Sequence, residues 1–267
     1  MPHFRRPTDL LARRGAAAIA WLGGWRGLFR FAGVAIVQAL SPSTYNSATR
    51  SVVQKQIYFT AWQILPGYTV FAALLSFVLI VIVVGTARDF GLSVYALEMT
   101  MRLLILEILP LLTVLFVALR SGAAINTEVA LMNIENEMTA LEKSGVDPMQ
   151  FEFIPRVIGG TISVISLAAV SSAVALALAY VVVYGFQPWG FADFSRVAGQ
   201  VFDLPTTLIL WGKMLLFGLA VTVIPISAGL AAPRMLFFAP IAVLRGMVRL
   251  FFVIMLIEVA TLALRYI

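Results

Sequence analysis

Five separate runs in this chain stay apolar for about 20 residues or more, the length an α-helix needs to cross a hydrocarbon core. They fall near Tyr58 to Gly85, Leu97 to Leu119, Val157 to Tyr184, Thr206 to Leu230 and Ile241 to Leu264. Backbone N–H and C=O groups find no water there, so each run must satisfy its own hydrogen bonds, which a helix does. The expected fold class is therefore all-α and polytopic, with five membrane helices. The first and third runs exceed the necessary length, which implies tilt or a protruding helical end. Composition agrees: the chain is 61% hydrophobic and 12% charged, with a mean hydropathy of +0.97.

Orientation follows from the basic residues of the short connections, because Lys and Arg are retained on the cytoplasmic side. The leading segment carries Arg5, Arg6, Arg13, Arg14, Arg26, Arg30, Arg50 and Lys55, and the connection between spans four and five carries Arg234 ahead of Arg245 and Arg249. Both belong inside, which places the connections near Arg88 and from Asp193 to Asp203 outside, together with Ile267. The net charge of +6 is gathered at the ends of apolar runs rather than along one soluble face. That distribution suits anionic lipid headgroups better than nucleic acid. No short apolar stretch followed by a small-residue cleavage site appears near the start, so no removable signal peptide is expected.

Residues 1–45 form a basic N-terminal segment. From Leu10 to Leu40 the chain is apolar but interrupted by Gly15, Gly23, Gly24, Gly27, Gly33 and arginines. Trp21, Trp25, Leu28 and Phe29 share one helical arc, with Arg26 and Arg30 beside it. Indoles at headgroup depth and snorkelling guanidinium groups make an interfacial helix; the alternative is a sixth, poor membrane helix, against which the arginines argue. Ser41-Pro42-Ser43 marks the turn that follows it.

Residues 126–144 differ from their surroundings. Glu128, Glu135, Glu137, Glu142 and Lys143 are interleaved with Leu131, Ile134, Met138 and Leu141 at helical spacing, the pattern of a water-exposed amphipathic helix. Gly145 supplies a stop, and Asp147-Pro148 begins a turn because a residue before proline avoids helical geometry. The topology puts this helix in the cytoplasm between spans two and three. It serves either as a docking element or as a connector packed on its own bundle.

Several chemistries are excluded. The chain has no cysteine and one histidine, His3, which leaves no disulfide framework, thiolate nucleophile or metal cluster to build. Nothing matches G-x-x-x-x-G-K-[ST], so nucleotide phosphates are not cradled by a P-loop here. No catalytic residues and no cofactor are expected, and an intramembrane hydrolase fits poorly.

Ionisable residues inside spans carry information because each costs at least about 2.5 kcal/mol at the bilayer centre. Glu107 lies within span two, three residues before Pro110, which breaks the local hydrogen-bond ladder. It is read as a polar feature of a substrate pathway, or as a structural ion pair with Arg102 or Arg120. Glu98 and Arg102 stand i,i+4, suiting a local salt bridge. Lys213 in span four and Glu258 in span five fall at similar depth and are expected to pair. Pro225, Pro233, Pro240, Gly159 and Gly160 are either hinges or static bends. The small residues of span three, from Ser163 to Ala179, suggest tight helix packing and a dimer seam.

The residues KQIYFTAWQILP from Lys55 to Pro66 resemble the start of the first membrane helix in MlaE-type permeases, the integral subunits of Mce-associated lipid transporters. A longer resemblance runs from Leu106 to Gly160. It takes in Glu107 and Pro110, LRSGAAINTEVALM from Leu119 to Met132, Glu142, Val146-Asp147-Pro148 and Pro155-Arg156. The resemblance implies a single permease domain over 1–267 that pairs with a second permease copy or a related permease around a lipid-sized cavity. It further implies a cytoplasmic ABC ATPase subunit that binds the ATP, and a periplasmic Mce-domain lipid-binding protein as a further partner, in the bacterial inner membrane.

In such permeases the helix between spans two and three is the coupling helix that docks on the ATPase. On this sequence that role falls on Glu128, Met132, Glu142 and the Val146-Asp147-Pro148 turn, with Glu135 and Met138 of the same segment. The family's glutamate-proline motif falls on Glu107 and Pro110, which assigns them to the lipid pathway. The cargo expected is phospholipid or a related lipid, since a pathway lined by Leu, Val, Phe and Met solvates neither an ion nor a sugar. A non-transporting scaffold that anchors an ATPase or a lipid-binding protein is the rival reading. The chain departs from the family pattern at IPISAGLAAPRMLFFAP, from Ile224 to Pro240, and at GTARDFG, from Gly85 to Gly91. Those departures suggest a divergent member and one half of a heterodimer.

Overall fold

The computed structural model describes residues 7–41, 47–235, 237 and 239–266, and every regular element among them is a helix. Five are long and apolar enough to cross a membrane: span one (Thr49–Asp89), span two (Ser93–Ile134), span three (Met149–Tyr184), span four (Leu204–Leu230) and span five (Ala239–Arg265). Spans two and four are the most enclosed, and spans one and five turn most of their surface outward. That outward surface includes Phe71, Leu74, Phe77, Val81, Phe252, Leu256 and Val259, as a lipid-facing helix requires.

The helices run past their apolar runs. Span one begins nine residues before Tyr58, and span two continues fifteen residues beyond Leu119. Prolines shape this irregularity. Pro66 has no N–H to give the carbonyl of Trp62, and the chain adjusts through a π-turn at Tyr58–Trp62. The turn closes with Gln63 N–H donating to Tyr58 O at 3.0 Å and Ile64 N–H to Ala61 O at 3.1 Å. Further π-turns precede Pro110, at Met101–Ile108, and Pro155, at Met149–Phe153. Each lengthens the hydrogen-bonded ring by one residue where the ordinary donor is missing.

Span four is the axis of the bundle, packed against spans two, three and five. Its crossing with span three is made by small residues. A Cβ on Gly218 would stand 2.8 Å from the Cα of Thr161, and one on Gly160 would strike the methyl group of Thr222. Without a hydrophobic drive between helices in lipid, such close backbone approach supplies the dispersion contact that holds them. Ser163, Ala168, Ser171, Ala175 and Ala179 are likewise buried within this one chain, where spans one and four cover span three. On the opposite face of the same stretch Ala169, Ala173 and Ala177, spaced four apart, stay exposed.

A single helix, Pro7–Leu40, leads into the bundle and runs on through Gly15, Gly23, Gly24, Gly27 and Gly33 without interruption. It lies against spans three and four. Leu28 is buried, Trp25 half-buried, and Arg26, Phe29 and Arg30 are exposed. The side chains of Arg13, Arg14 and Trp21 lie outside the described residues, as do Arg5, Arg6, Pro42, Ser43 and Ile267. On the other side of the bundle, Phe191–Val201 forms a short amphipathic helix that hydropathy did not reveal. It buries Val197 and Val201 and sets Phe194 edge-on to Tyr180 at 5.3 Å. Asp203 then caps span four, accepting from the Thr206 N–H at 3.0 Å. The Thr206 side chain and N–H together hold its carboxyl below the usual range.

Gly160→Val is expected to destabilise the detergent-solubilised chain by about 1–3 kcal/mol in thermal unfolding, through overpacking at the crossing of spans three and four. Gly212→Ala, whose Cβ meets nothing within 4 Å, should leave stability unchanged or slightly raised.

Candidate functional site

Two polar regions stand out in an otherwise apolar molecule, one at each end. The first is where span two leaves the bundle. Its last turns are wedged between spans four and five: a Cβ on Gly229 would lie 2.9 Å from the carbonyl oxygen of Asn126, and one on Gly246 would strike the Asn126 amide. The Asn126 amide donates to the Val243 carbonyl at 3.4 Å. Two turns further, Asn133 Nδ2 donates to the carbonyls of Leu230 (3.2 Å) and Ala232 (3.0 Å). It thereby satisfies acceptors that the end of span four leaves without helical partners.

The helix stops at Ile134, and Asn136 turns the chain in the left-handed conformation, φ 59° and ψ 24°. It is the one non-glycine with positive φ among the described residues, and asparagine is among the few side chains that tolerate it. A short helix, Glu137–Lys143, follows. Gly145 ends it, with Gly145 N–H to Glu142 O and Val146 N–H to Leu141 O, both at 3.0 Å, the paired bonds of a Schellman stop. Asp147 Oδ1 accepts from the Met149 N–H at 2.9 Å. The single helix expected over 126–144 is therefore two helices with an elbow at Asn136. The first is the continuation of span two.

The elbow is acidic. Glu135, Glu137, Glu142 and Asp147 are exposed, Val146 is half-buried and Pro148 is buried. Arg156 at the start of span three holds Glu128 at 3.1 Å and Glu152 at 3.0 Å. A recess of about 350 Å³ opens between them, bounded by Glu128, Glu135, Glu137, Glu152 and Arg156 over Leu131 and Met132. Four carboxylates face one guanidinium there, so the recess is net negative. Met138 turns the other way and packs against the bundle core.

The second region lies toward the other end, where spans two, four and five meet. Lys213 Nζ is 2.5 Å from Glu107 Oε2 and 2.7 Å from Glu258 Oε2, and Arg265 pairs with the other oxygen of Glu107. Side-chain exposure is 0% for Lys213, 11% for Glu107, 8% for Glu258 and 5% for Arg265. Two cations and two carboxylates give a neutral cluster, which is how buried charge is tolerated in lipid. Lys213 also donates to the Leu106 carbonyl at 3.3 Å. That carbonyl is the one whose i+4 donor would be the missing N–H of Pro110. Glutamate, proline and lysine thus form one unit: the proline frees an acceptor and the ammonium fills it.

Lys213 and Glu258 come together as expected, and Glu98 meets Arg102 at 2.8 Å. Arg102 and Arg120 do not reach Glu107, because Arg102 is engaged by Glu98 and Arg120 points to Gln63 Oε1 at 3.4 Å. Arg265 was missed, although a signal was present: Glu107 and Glu258 against Lys213 alone leaves one buried carboxylate uncompensated. Asn126, Asn133 and Arg156 were also missed. The asparagines' partners lie up to 117 positions away in sequence, beyond the reach of periodicity, whereas Glu152 stands four residues before Arg156, a signal that was present.

These features define a polytopic helical membrane protein whose second span extends beyond the bundle into an acidic elbow. The chain belongs to the family described as Permease MlaE, which matches residues 53–264, and so stands among the membrane subunits of ABC transporters. A protein of Synechocystis sp. named as a probable ABC transporter permease is 29% identical over 127 residues. That alignment covers 46% of this chain and 47% of the relative, about half the length of each.

Lys213→Met leaves two buried carboxylates facing one guanidinium. It should lower stability by about 3–5 kcal/mol in thermal unfolding, and wild-type stability in that variant would refute the cluster. Replacing Lys213 and Glu258 together by Met and Gln, which leaves Glu107 paired with Arg265, should cost less than Lys213→Met alone.

Proposed function

We propose that this chain is the permease subunit of a bacterial inner-membrane ABC transporter that moves phospholipid or a related lipid between that membrane and the cell envelope. A separate cytoplasmic ATPase supplies the energy, and a second permease, identical or related, completes the pathway. The basic leading segment, Arg234 between spans four and five, and Arg245 and Arg249 early in span five support a cytoplasmic N-terminus, with the helix Pro7–Leu40 starting at the inner interface and its Trp25–Ile36 stretch running beside spans four and five. A periplasmic Mce-domain protein is the expected partner on the other face.

The observation that carries this reading is the continuity of span two. One helix carries Glu107 at one end and, past Ile134, delivers the chain to an acidic elbow outside the bundle. Glu128, Met132, Glu135, Glu142, Val146, Asp147 and Pro148 supply a surface of exposed carboxylates around a small apolar floor. Such a surface suits a basic rim on an ATPase, where charge selects the partner and apolar contact anchors it. Met138 supports the elbow from the bundle side. Glu107 and Pro110 contribute as the outer joint of the same helix. The rival scaffold reading has one observation on its side: Glu107 is enclosed by two cations and keeps only 11% of its side chain exposed.

Co-purification tests the proposal. The wild-type chain should retain a cytoplasmic ATPase through detergent extraction, and a folded variant carrying Glu142→Lys and Asp147→Lys should lose at least about tenfold of it. Equal retention by both would remove the elbow from the interface. Failure of either to bind an ATPase would end the reading.

A further inference from the structure

The cations of span five fall into two groups with opposite surroundings. At the outer end, Arg265 is matched by Glu107 within the neutral cluster. At the opposite end, Arg245 and Arg249 stand one turn apart, and no carboxylate among the described residues lies within ion-pairing distance of either. Arg249 is ten residues into the helix from Ala239, about 15 Å along its axis. A charge at that depth, with Arg245 one turn nearer the helix start, is costly unless an anion reaches it. The Arg249 guanidinium is nonetheless held against the N-terminal helix, so close that a Cβ on Gly24 would stand 2.8 Å from one of its nitrogens.

Both arginines line a cavity of about 250 Å³ between the N-terminal helix and the inner ends of spans four and five, together with Gly24, Ala228 and Pro233. Beside it runs a groove of about 380 Å³ whose lining is wholly apolar, with walls that include Trp25, Leu28 and Phe29 of the N-terminal helix, Val223 of span four, and Phe252 and Leu256 of span five. Phe252 and Val253 follow Arg249 by three and four residues, so they lie on its face of the helix. A pair of fork-shaped cations opening onto an apolar trough has the outline of an amphiphile with an anionic head. The N-terminal helix that forms one wall lies outside the family match.

We propose that Arg245 and Arg249 hold the phosphate of an anionic phospholipid whose acyl chain lies in the groove between the N-terminal helix and spans four and five. Two guanidinium groups give a phosphodiester charge-assisted, bidentate bonds. A zwitterionic lipid brings its own cationic group toward the arginines and is disfavoured. A free phosphate leaves the trough unfilled. A second copy docked by this face brings no carboxylate to the pair, since none lines the cavity or the groove. The site rests on the arginines and the trough, and it holds whether or not the chain moves lipid.

The test is native mass spectrometry of the intact chain released from nanodiscs of phosphatidylglycerol and phosphatidylcholine in equal parts. The wild type should retain phosphatidylglycerol in preference by about tenfold, as two arginines near a membrane surface allow. Arg245→Gln with Arg249→Gln should abolish the preference, whereas the Lys pair should keep most of it. Ala32→Trp, which fills the groove from the N-terminal helix, should reduce retention of both lipids with the arginines intact. Should the Gln pair fail to fold, the Lys pair and Ala32→Trp decide the matter. Equal retention of the two lipids by the wild type overturns the proposal, as does an unchanged preference in a folded Gln pair. Displacement of the bound lipid by inorganic phosphate alone would make this a free-anion site and also overturn it. So would disulfide crosslinking of Phe29→Cys to a second copy, in a chain without native cysteine.

Discussion

The ammonium of Lys213 is the point on which three membrane helices depend. It has no water around it, so its charge must be met by protein, and it is met from two directions at once. Glu107 of span two and Glu258 of span five bring the carboxylates, and Leu106 brings a carbonyl. The carbonyl is available because Pro110 lies four residues on and donates nothing to it. Arg265 then balances the second carboxylate. Removing any one member leaves another buried charge uncompensated, so the four residues fix the relative depth of spans two, four and five. Depth is otherwise weakly specified, since apolar helices in lipid slide past one another at little cost.

The positions of the five spans were legible in the amino-acid sequence because burial in lipid demands apolar residues at almost every position. The ends were not. Span two reads as leaving the membrane near Arg120, and it leaves the apolar run there, but Asn126, Val129 and Ala130 are buried against spans four and five. Hydropathy marks where lipid stops and is silent about where helix stops. The elbow at Asn136 was marked only by an asparagine between two glutamates, a weak signal inside a segment whose periodicity favours uninterrupted helix. Glu107 announced that something must compensate it. Its partners, 106 and 158 positions away, became visible only with the fold.

The two ends of span five illustrate how similar side chains acquire different roles. Arg265 is closed inside the protein, with its charge cancelled. Arg245 and Arg249 lie among small residues, Gly24, Ala228 and Ala242, that leave space rather than fill it. Counting basic residues makes Arg245 and Arg249 topology markers and assigns Arg265 no role. Packing separates the one that completes a core from the two that open toward the bilayer.

Span two is 42 residues long, about 63 Å if measured at helical rise, roughly twice the hydrocarbon thickness it has to cross. It is pinned twice: by Glu107 to the ion cluster, and by Asn126 and Asn133 to the far ends of spans five and four. A rod held at two points does not move freely. Sideways force on its protruding tip becomes torque about the asparagine contacts, and displacement at the glutamate end follows with opposite sense. Between the two pins the regular ladder is interrupted at the π-turn Ala118–Gly122, where the rod is free to bend. A bend there takes up part of a push at the tip before it reaches Glu107.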